Sequence, residues 1–158
     1  MKYAGIIDND IVDGDDGLTV SFWCQGCDVR CKGCHNPQTW DFRGGQELPD
    51  NYLKMLEDKI SKNGITRNLS ILGGEPLCKQ NRHLVSKIVS FIRGRFSDIK
   101  ITIWTGHIYE ELLKENDKDL DIIFNNINVL VDGPYKEELR DINLKLRGSS
   151  NQRIIKLR

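Results

Sequence analysis

Four of the five cysteines fall within eleven positions, in the stretch CQGCDVRCKGCHN from residue 24 to 36. Cys27, Cys31 and Cys34 form C-x3-C-x2-C, Cys24 lies three residues earlier, and His35 follows directly. Soft thiolates select zinc, copper(I) or iron–sulfur clusters. A closed zinc site wants four ligands, usually as two pairs separated by a longer stretch. No second C-x2-C pair exists here, although Cys24 or His35 could complete a zinc site, so that reading stays open. The other reading is a cubane [4Fe–4S] cluster on three cysteines. Such clusters normally take four; with three, one iron stays free for a substrate or cofactor, as in catalytic metal sites. Cys24, at the end of an apolar run, and Cys78 are expected to be small packed residues.

The second informative stretch is GGEP, Gly73 to Pro76. Two glycines permit positive φ and close backbone approach, and the proline fixes the exit. Such a loop offers peptide groups and the Glu75 carboxylate to a small ligand, and suits an amino group; an ordinary strand-to-helix turn is the plainer alternative. Trp104 reads as core packing at a strand end rather than a stacking platform. Thr105 and Gly106, on the same rim, are candidates to line a cofactor. Asp132 and Gly133 read as turn formers. His83 and His107 lie near helix starts and need no catalytic role. No Ser–His–Asp arrangement and no G-x4-G-K loop is present. The acidic GDDGLT, residues 14–19, lacks the spacing of a calcium loop.

These motifs must be positioned by the elements around them. LTVSFW (18–23), NLSILGG (68–74), KITIWTG (100–106) and INVLVDG (127–133) read as strands, each ending in a polar or glycine-rich loop. NYLKMLEDKISKN (51–63) and NRHLVSKIVSFIRGRF (81–96) repeat apolar residues at helical spacing. A short helix is expected around 108–113, a less clear segment from 117 to 126, and a weak strand at LKLRG or QRIIKL. Alternation of this kind predicts an α/β fold of parallel strands joined by right-handed crossovers, with the site at their carboxyl ends. A complete eight-unit barrel takes about 250 residues, so this chain is expected to form an open or partial parallel (β/α) barrel, truncated relative to a full TIM barrel.

At 158 residues a single domain spanning 1–158 is expected. The 23 basic and 23 acidic residues balance, which offers no global field for a nucleic acid or a membrane surface. Residues 1–50 nevertheless carry nine acids and four bases, and 140–158 six bases and one acid; that basic tail reads as a solvated end or a dock for an acidic partner. No signal peptide and no run of roughly 20 apolar residues is visible. A cytoplasmic protein is therefore expected, in a compartment where clustered thiols do metal or redox work rather than form disulfides.

Taken together, C-x3-C-x2-C after one strand and G-G-E-P after the next resemble the radical S-adenosylmethionine superfamily. GCDVRCKGCHNPQTW, LGGEPLCKQN, IWTGH, VLVDGPY and LRGSSNQR, in order from about residue 22 to 153, narrow the resemblance to the activating proteins of anaerobic ribonucleoside-triphosphate reductase. The resemblance implies a barrel of the radical S-adenosylmethionine type. It implies Cys27, Cys31 and Cys34 as ligands of a [4Fe–4S] cluster whose open iron chelates S-adenosylmethionine. Gly33, Cys34 and His35 would run along that cofactor, and Gly73, Gly74 and Glu75 would meet it from the glycine loop. The implied activity is reductive cleavage to a 5′-deoxyadenosyl radical, which abstracts hydrogen from one glycine of the anaerobic (class III) ribonucleotide reductase large subunit; the alternatives are another small radical enzyme of the superfamily acting on a free small molecule, or a non-catalytic zinc-stabilised binding module. An electron donor such as flavodoxin or ferredoxin is implied as well. Gly33 stands where the superfamily often has an aromatic residue, in keeping with this activator family. Leu146 stands where that family usually has tryptophan.

Overall fold

The computed structural model describes residues 1–14 and 17–158; Asp15 and Asp16 of the acidic GDDGLT stretch lie outside the described residues. Among the described residues the frame is one open seven-stranded sheet in the order β3-β1-β2-β4-β5-β6-β7. The strands are β1 (Lys2–Asp10), β2 (Thr19–Cys24), β3 (Gln46–Glu47), β4 (Asn68–Gly73), β5 (Ile101–Trp104), β6 (Val129–Asp132) and β7 (Arg153–Lys156). The helices are α1 (Tyr52–Ile60), α2 (Arg82–Arg95), α3 (Tyr109–Leu113) and α4 (Lys118–Asn126).

β2, β4, β5 and β6 are parallel and adjacent in chain order, as the alternating pattern predicts. The flanks depart from it, because β1 and β7 pair antiparallel with β2 and β6. The expected all-parallel sheet is thus a mixed one. β1 goes unannounced in the sequence because bulges break its alternation, and its far half, IIDND, mixes apolar and acidic residues. Of the two weak C-terminal candidates, QRIIKL supplies β7, whereas LKLRG is irregular. The uncertain segment at 117–126 is α4, whose Asp117 accepts from the Asp119 and Leu120 amides at 2.8 and 3.2 Å.

Strand register divides the sheet into two unlike faces. Val20 lies opposite Leu69 and Leu69 opposite Ile101; Phe22, Ile71, Ile103 and Leu130 follow in the next row. All of these pack in one core with Leu56 and Ile60 of α1, Leu84, Val85, Ile88, Val89 and Ile92 of α2, and Leu120 and Ile123 of α4. Each such side chain contributes roughly 1.5–3 kcal/mol relative to exposure, so packing rather than helix propensity holds the helical layer. The alternate positions, Trp23, Leu72 and Trp104, point the other way and line a cavity. No described helix is long and apolar enough to cross a membrane.

Candidate functional site

The cysteine loop begins where β2 ends. Gly26, at φ 99°, turns the chain off the sheet, and its amide donates to Thr39 O at 2.7 Å. The Cys27 amide donates to Trp40 O at 3.1 Å, so residues 27–38 form a closed excursion. Buried Gln25 holds the returning strand by donating to the carbonyls of Gln38 and Asp41 at 3.1 and 2.8 Å. Within the loop, the Cys34 amide donates to Cys31 O at 3.1 Å, and the Asn36 amide points at the Cys34 sulfur at 3.4 Å.

All five cysteines are unpaired. Cys27, Cys31 and Cys34 line one cavity of about 550 Å³, together with Gly73, Gly74, Glu75, Trp104, Thr105 and Gly106. Cys24 and Cys78 are buried away from it, and Cys24 belongs to the core under the sheet. Burial, then the neighbouring Cys78 and Glu75, pushes the Cys24 thiol well above its usual value, and burial pushes Cys78 up to about 12. Neither is poised to be a thiolate. Burial also raises Cys27, against amide donation from Arg30 and Val29, and raises Cys31, against an amide of Tyr135. A bound cation would reverse that balance, since metal coordination deprotonates a thiol outright.

These residues fit an iron–sulfur cluster. Three free thiols face one cavity, two of them half-exposed, and backbone amides already point at the sulfurs of Cys27 and Cys34. Among the described residues no three His, Cys, Asp or Glu side chains group as one metal ion would need. Gly33, at φ 79°, lets the loop pass against the 133–137 segment, because any Cβ there would strike the Glu137 carboxylate. His35 packs against Tyr135 with ring centroids 5.3 Å apart, which ties the same two loops together.

The glycine loop meets the cysteine loop backbone to backbone. The Glu75 amide donates to Gly26 O at 2.8 Å, and a Cβ on Gly74 would stand inside 3.0 Å of that oxygen. Glu75 is 1% exposed and lines the cavity with most of its carboxylate engaged by the wall. Oε1 accepts from the Thr105 hydroxyl at 2.6 Å and the Leu77 amide at 2.9 Å; Oε2 accepts from the Gly106 amide at 2.6 Å. Burial raises its pKa, and the Thr105 hydroxyl leads the donors that oppose the rise. A carboxylate has about four acceptor positions, so one remains on Oε2.

Three connections escaped the sequence reading. Asn81, buried just before α2, donates from Nδ2 towards Gln25 O, Gly26 O and Glu75 O at 3.2, 3.2 and 3.0 Å. One amide group thereby clamps the cysteine loop to the glycine loop. His107 approaches Asp28 at 3.0 Å, linking the β5 loop to the cysteine loop, and Arg82 fixes the start of α2 through Leu77 O at 2.7 Å and Glu115 at 2.6 Å. The block LGGEPLCKQN ends on Asn81, the one signal that could have found it. Trp104 lines the cavity with its indole N–H committed to Leu146 O at 2.8 Å. Asp132 is outside the cavity: it accepts from the Tyr109 amide at 2.9 Å and from Arg153 at 2.9 and 2.5 Å.

The chain's similarities agree with this arrangement. Residues 12–155 match the family model described as a 4Fe-4S single cluster domain. An anaerobic ribonucleoside-triphosphate reductase-activating protein of Enterobacteria phage T4 is 37% identical over 98% of this chain and 93% of its own. Proteins of the same description from Escherichia coli (strain K12) and Vibrio cholerae are 36% and 34% identical, over 100% and 96% of both chains.

Proposed function

This chain belongs to the family of anaerobic ribonucleoside-triphosphate reductase-activating proteins, and from that premise we propose that it is the iron–sulfur enzyme that activates an anaerobic ribonucleotide reductase. Cys27, Cys31 and Cys34 hold a [4Fe–4S] cluster, and S-adenosylmethionine lies beside it. When bound, the pair supplies one electron to cleave the sulfonium and a carbon radical that takes hydrogen from a glycine of the reductase large subunit. The observation that carries this reading is the convergence of three unpaired thiols and the Gly73–Glu75 loop on one cavity.

The protein's own part is orientation and exclusion of water. Gly33, Cys34 and His35 offer backbone along one side of the cofactor. Gly73 and Gly74 offer bare backbone along the other. Glu75, locked by Thr105, Gly106 and Leu77, keeps one acceptor position for an ammonium group. Leu72, Val29 and the ring of Trp104 supply apolar wall. Cys31 and Cys34 are half-exposed, which suits electron delivery by a donor such as flavodoxin or ferredoxin. The four parallel strands in chain order, with both motif loops at their carboxyl ends, support a partial barrel of the radical S-adenosylmethionine type.

The test is anaerobic reconstitution with iron and sulfide. The expected product is brown, carries about four irons, cleaves S-adenosylmethionine under reduction, and raises a glycyl radical on the reductase, seen by electron paramagnetic resonance. Cys27→Ala, Cys31→Ala and Cys34→Ala should each abolish cleavage, whereas Cys24→Ala should keep it. A colourless protein with one tightly bound zinc and no cleavage refutes the reading.

A further inference from the structure

The cysteine-lined cavity has a neighbour. A second trough of about 440 Å³ is lined by Ala4, Gly5, Ile6 and Ile7 of β1 with Gln25, Gln38 and Gly45. The two share Trp23 and Thr39 as a common boundary. Three features of this second trough point to a peptide rather than a small molecule.

First, β1 has an open edge. β3 pairs only with Lys2 and Tyr3, and among the described residues no strand lies beside the remainder of β1 on that side. Beyond Ala4, whose carbonyl accepts from the Gln46 side chain at 3.3 Å, such an edge offers amides and carbonyls to another strand. Second, that edge and the turn after it expose large apolar side chains: Ile7 is 45%, Ile11 74% and Val12 78% exposed. An apolar edge of this kind is a hazard to a protein that never covers it. Third, the indole N–H groups of Trp23, where the two hollows meet, and of Trp40, in the wall of the cysteine cavity, are buried without an acceptor. A buried donor without a partner costs about 1–3 kcal/mol, and a backbone carbonyl arriving over Trp23 would relieve it.

We propose that the glycine-bearing segment of the reductase binds extended along the open edge of β1, fills the second trough, and passes over Trp23 so that its glycine enters the cysteine-lined cavity. This rests on the activase reading and adds the path by which the substrate reaches the site. Small residues along the trough, Ala4, Gly5 and Gly45, leave room for the visiting backbone. The occupant is an extended main chain, recognised by edge hydrogen bonds and by the exposed apolar side chain of Ile7 in the trough, with Ile11 and Val12 exposed beyond the strand's end. Because the two hollows adjoin across Trp23 and Thr39, the cofactor and the peptide occupy separate spaces side by side.

Two substitutions outside the cysteine cavity test the proposal on the reconstituted holoenzyme. Gly5→Leu fills the trough; a Cβ at Gly5 meets only the Gln46 side chain, at 3.9 Å, so the strand accommodates it. Ile7→Asp places a charge on the exposed edge. Cleavage of S-adenosylmethionine by dithionite without reductase should stay within about twofold of the parent in both. Glycyl radical formation, titrated with the full-length reductase, should show KM raised about tenfold or more, as loss of one well-placed contact gives. A KM within twofold of the parent in both variants overturns the proposal. If Gly5→Leu loses cleavage, its fold is damaged and the surface variant Ile7→Asp decides alone. A parent protein that cleaves S-adenosylmethionine but never yields the radical overturns the activase reading instead, and the trough with it.

Discussion

Replacing Gly74 by alanine should cost about 3 kcal/mol of stability, and the reason lies in one backbone contact. Gly74 does not have positive φ, so alanine can adopt its conformation and the whole penalty is steric. The new methyl would stand inside 3.0 Å of Gly26 O and near 3.1 Å of the Gly26 carbonyl carbon and amide nitrogen, atoms that cannot rotate away. Relief requires the two loops to part by ~1 Å, which overpacking studies price at roughly 1–3 kcal/mol. That movement stretches the 2.8 Å bond from the Glu75 amide to Gly26 O and loosens the triple donation of Asn81, for a further ~1–2 kcal/mol. The reduced freedom of the unfolded chain returns about 0.4–1 kcal/mol. The assay is urea unfolding of the apoprotein, followed by circular dichroism, with iron content measured after reconstitution. Gly94→Ala serves as the control: it sits in α2 with nothing within 4 Å of a new Cβ, and should gain about 0.5–1 kcal/mol. If Gly74→Ala falls within 1 kcal/mol of the parent and loads iron fully, the contact between the loops does not organise the site.

Asn81→Leu should lose about 2–3 kcal/mol, because Gln25 O is left without a donor and Gly26 O and Glu75 O keep only one backbone amide each, and amide exchange at residues 25–27 and 75 should accelerate. Arg153→Met leaves Asp132 buried without its cation and should cost about 2–3 kcal/mol, less than a fully buried pair because Arg153 is half in solvent; adding Asp132→Asn should recover much of that, as read by the denaturation midpoint. Burial and the nearby Asp10 raise Asp13 to about 6, so the folded state holds its proton more tightly than the unfolded chain. Its contribution is therefore fully present below pH 3.8 and lost as pH rises through about 6. Asp13→Asn should stabilise the protein at pH 8 and lose that advantage near pH 4, and a pH-independent effect would refute the assignment.

The four parallel strands and the helices α1 and α2 were legible because each carries its own period and its own stop signal. β2, β4, β5 and β6 fall within one or two residues of LTVSFW, NLSILGG, KITIWTG and INVLVDG. β1 was not legible: an edge strand with two bulges and an exposed isoleucine shows no two-residue alternation. The antiparallel sense of β7 was hidden for a different reason, since pairing direction is set by the partner strand and not by the segment itself. At the site, residue types and spacing announced the cysteines and GGEP, because chemistry confines those positions. Asn81, Gln25 and the His107–Asp28 contact were silent because their partners are mostly backbone carbonyls or residues up to 79 positions away. Glu75 shows the limit most plainly. Its identity suggested a carboxylate offered to a ligand, whereas folding engages three of its acceptor positions with Thr105, Leu77 and Gly106.

The walls of the cysteine cavity hold Trp23, Trp40 and Trp104, which are all the tryptophans the chain has. Nothing on the helical side of the sheet will contribute indole emission. Excited at the red edge of the indole band, beyond the absorption of the tyrosines that lie in and around the core, the protein's fluorescence is therefore an optical probe confined to the working face. Iron loading would appear as quenching, an arriving peptide as a spectral shift, and single Trp→Phe changes would separate the β2 end from the β5 end. The molecule comes labelled where a spectroscopist would have chosen to label it.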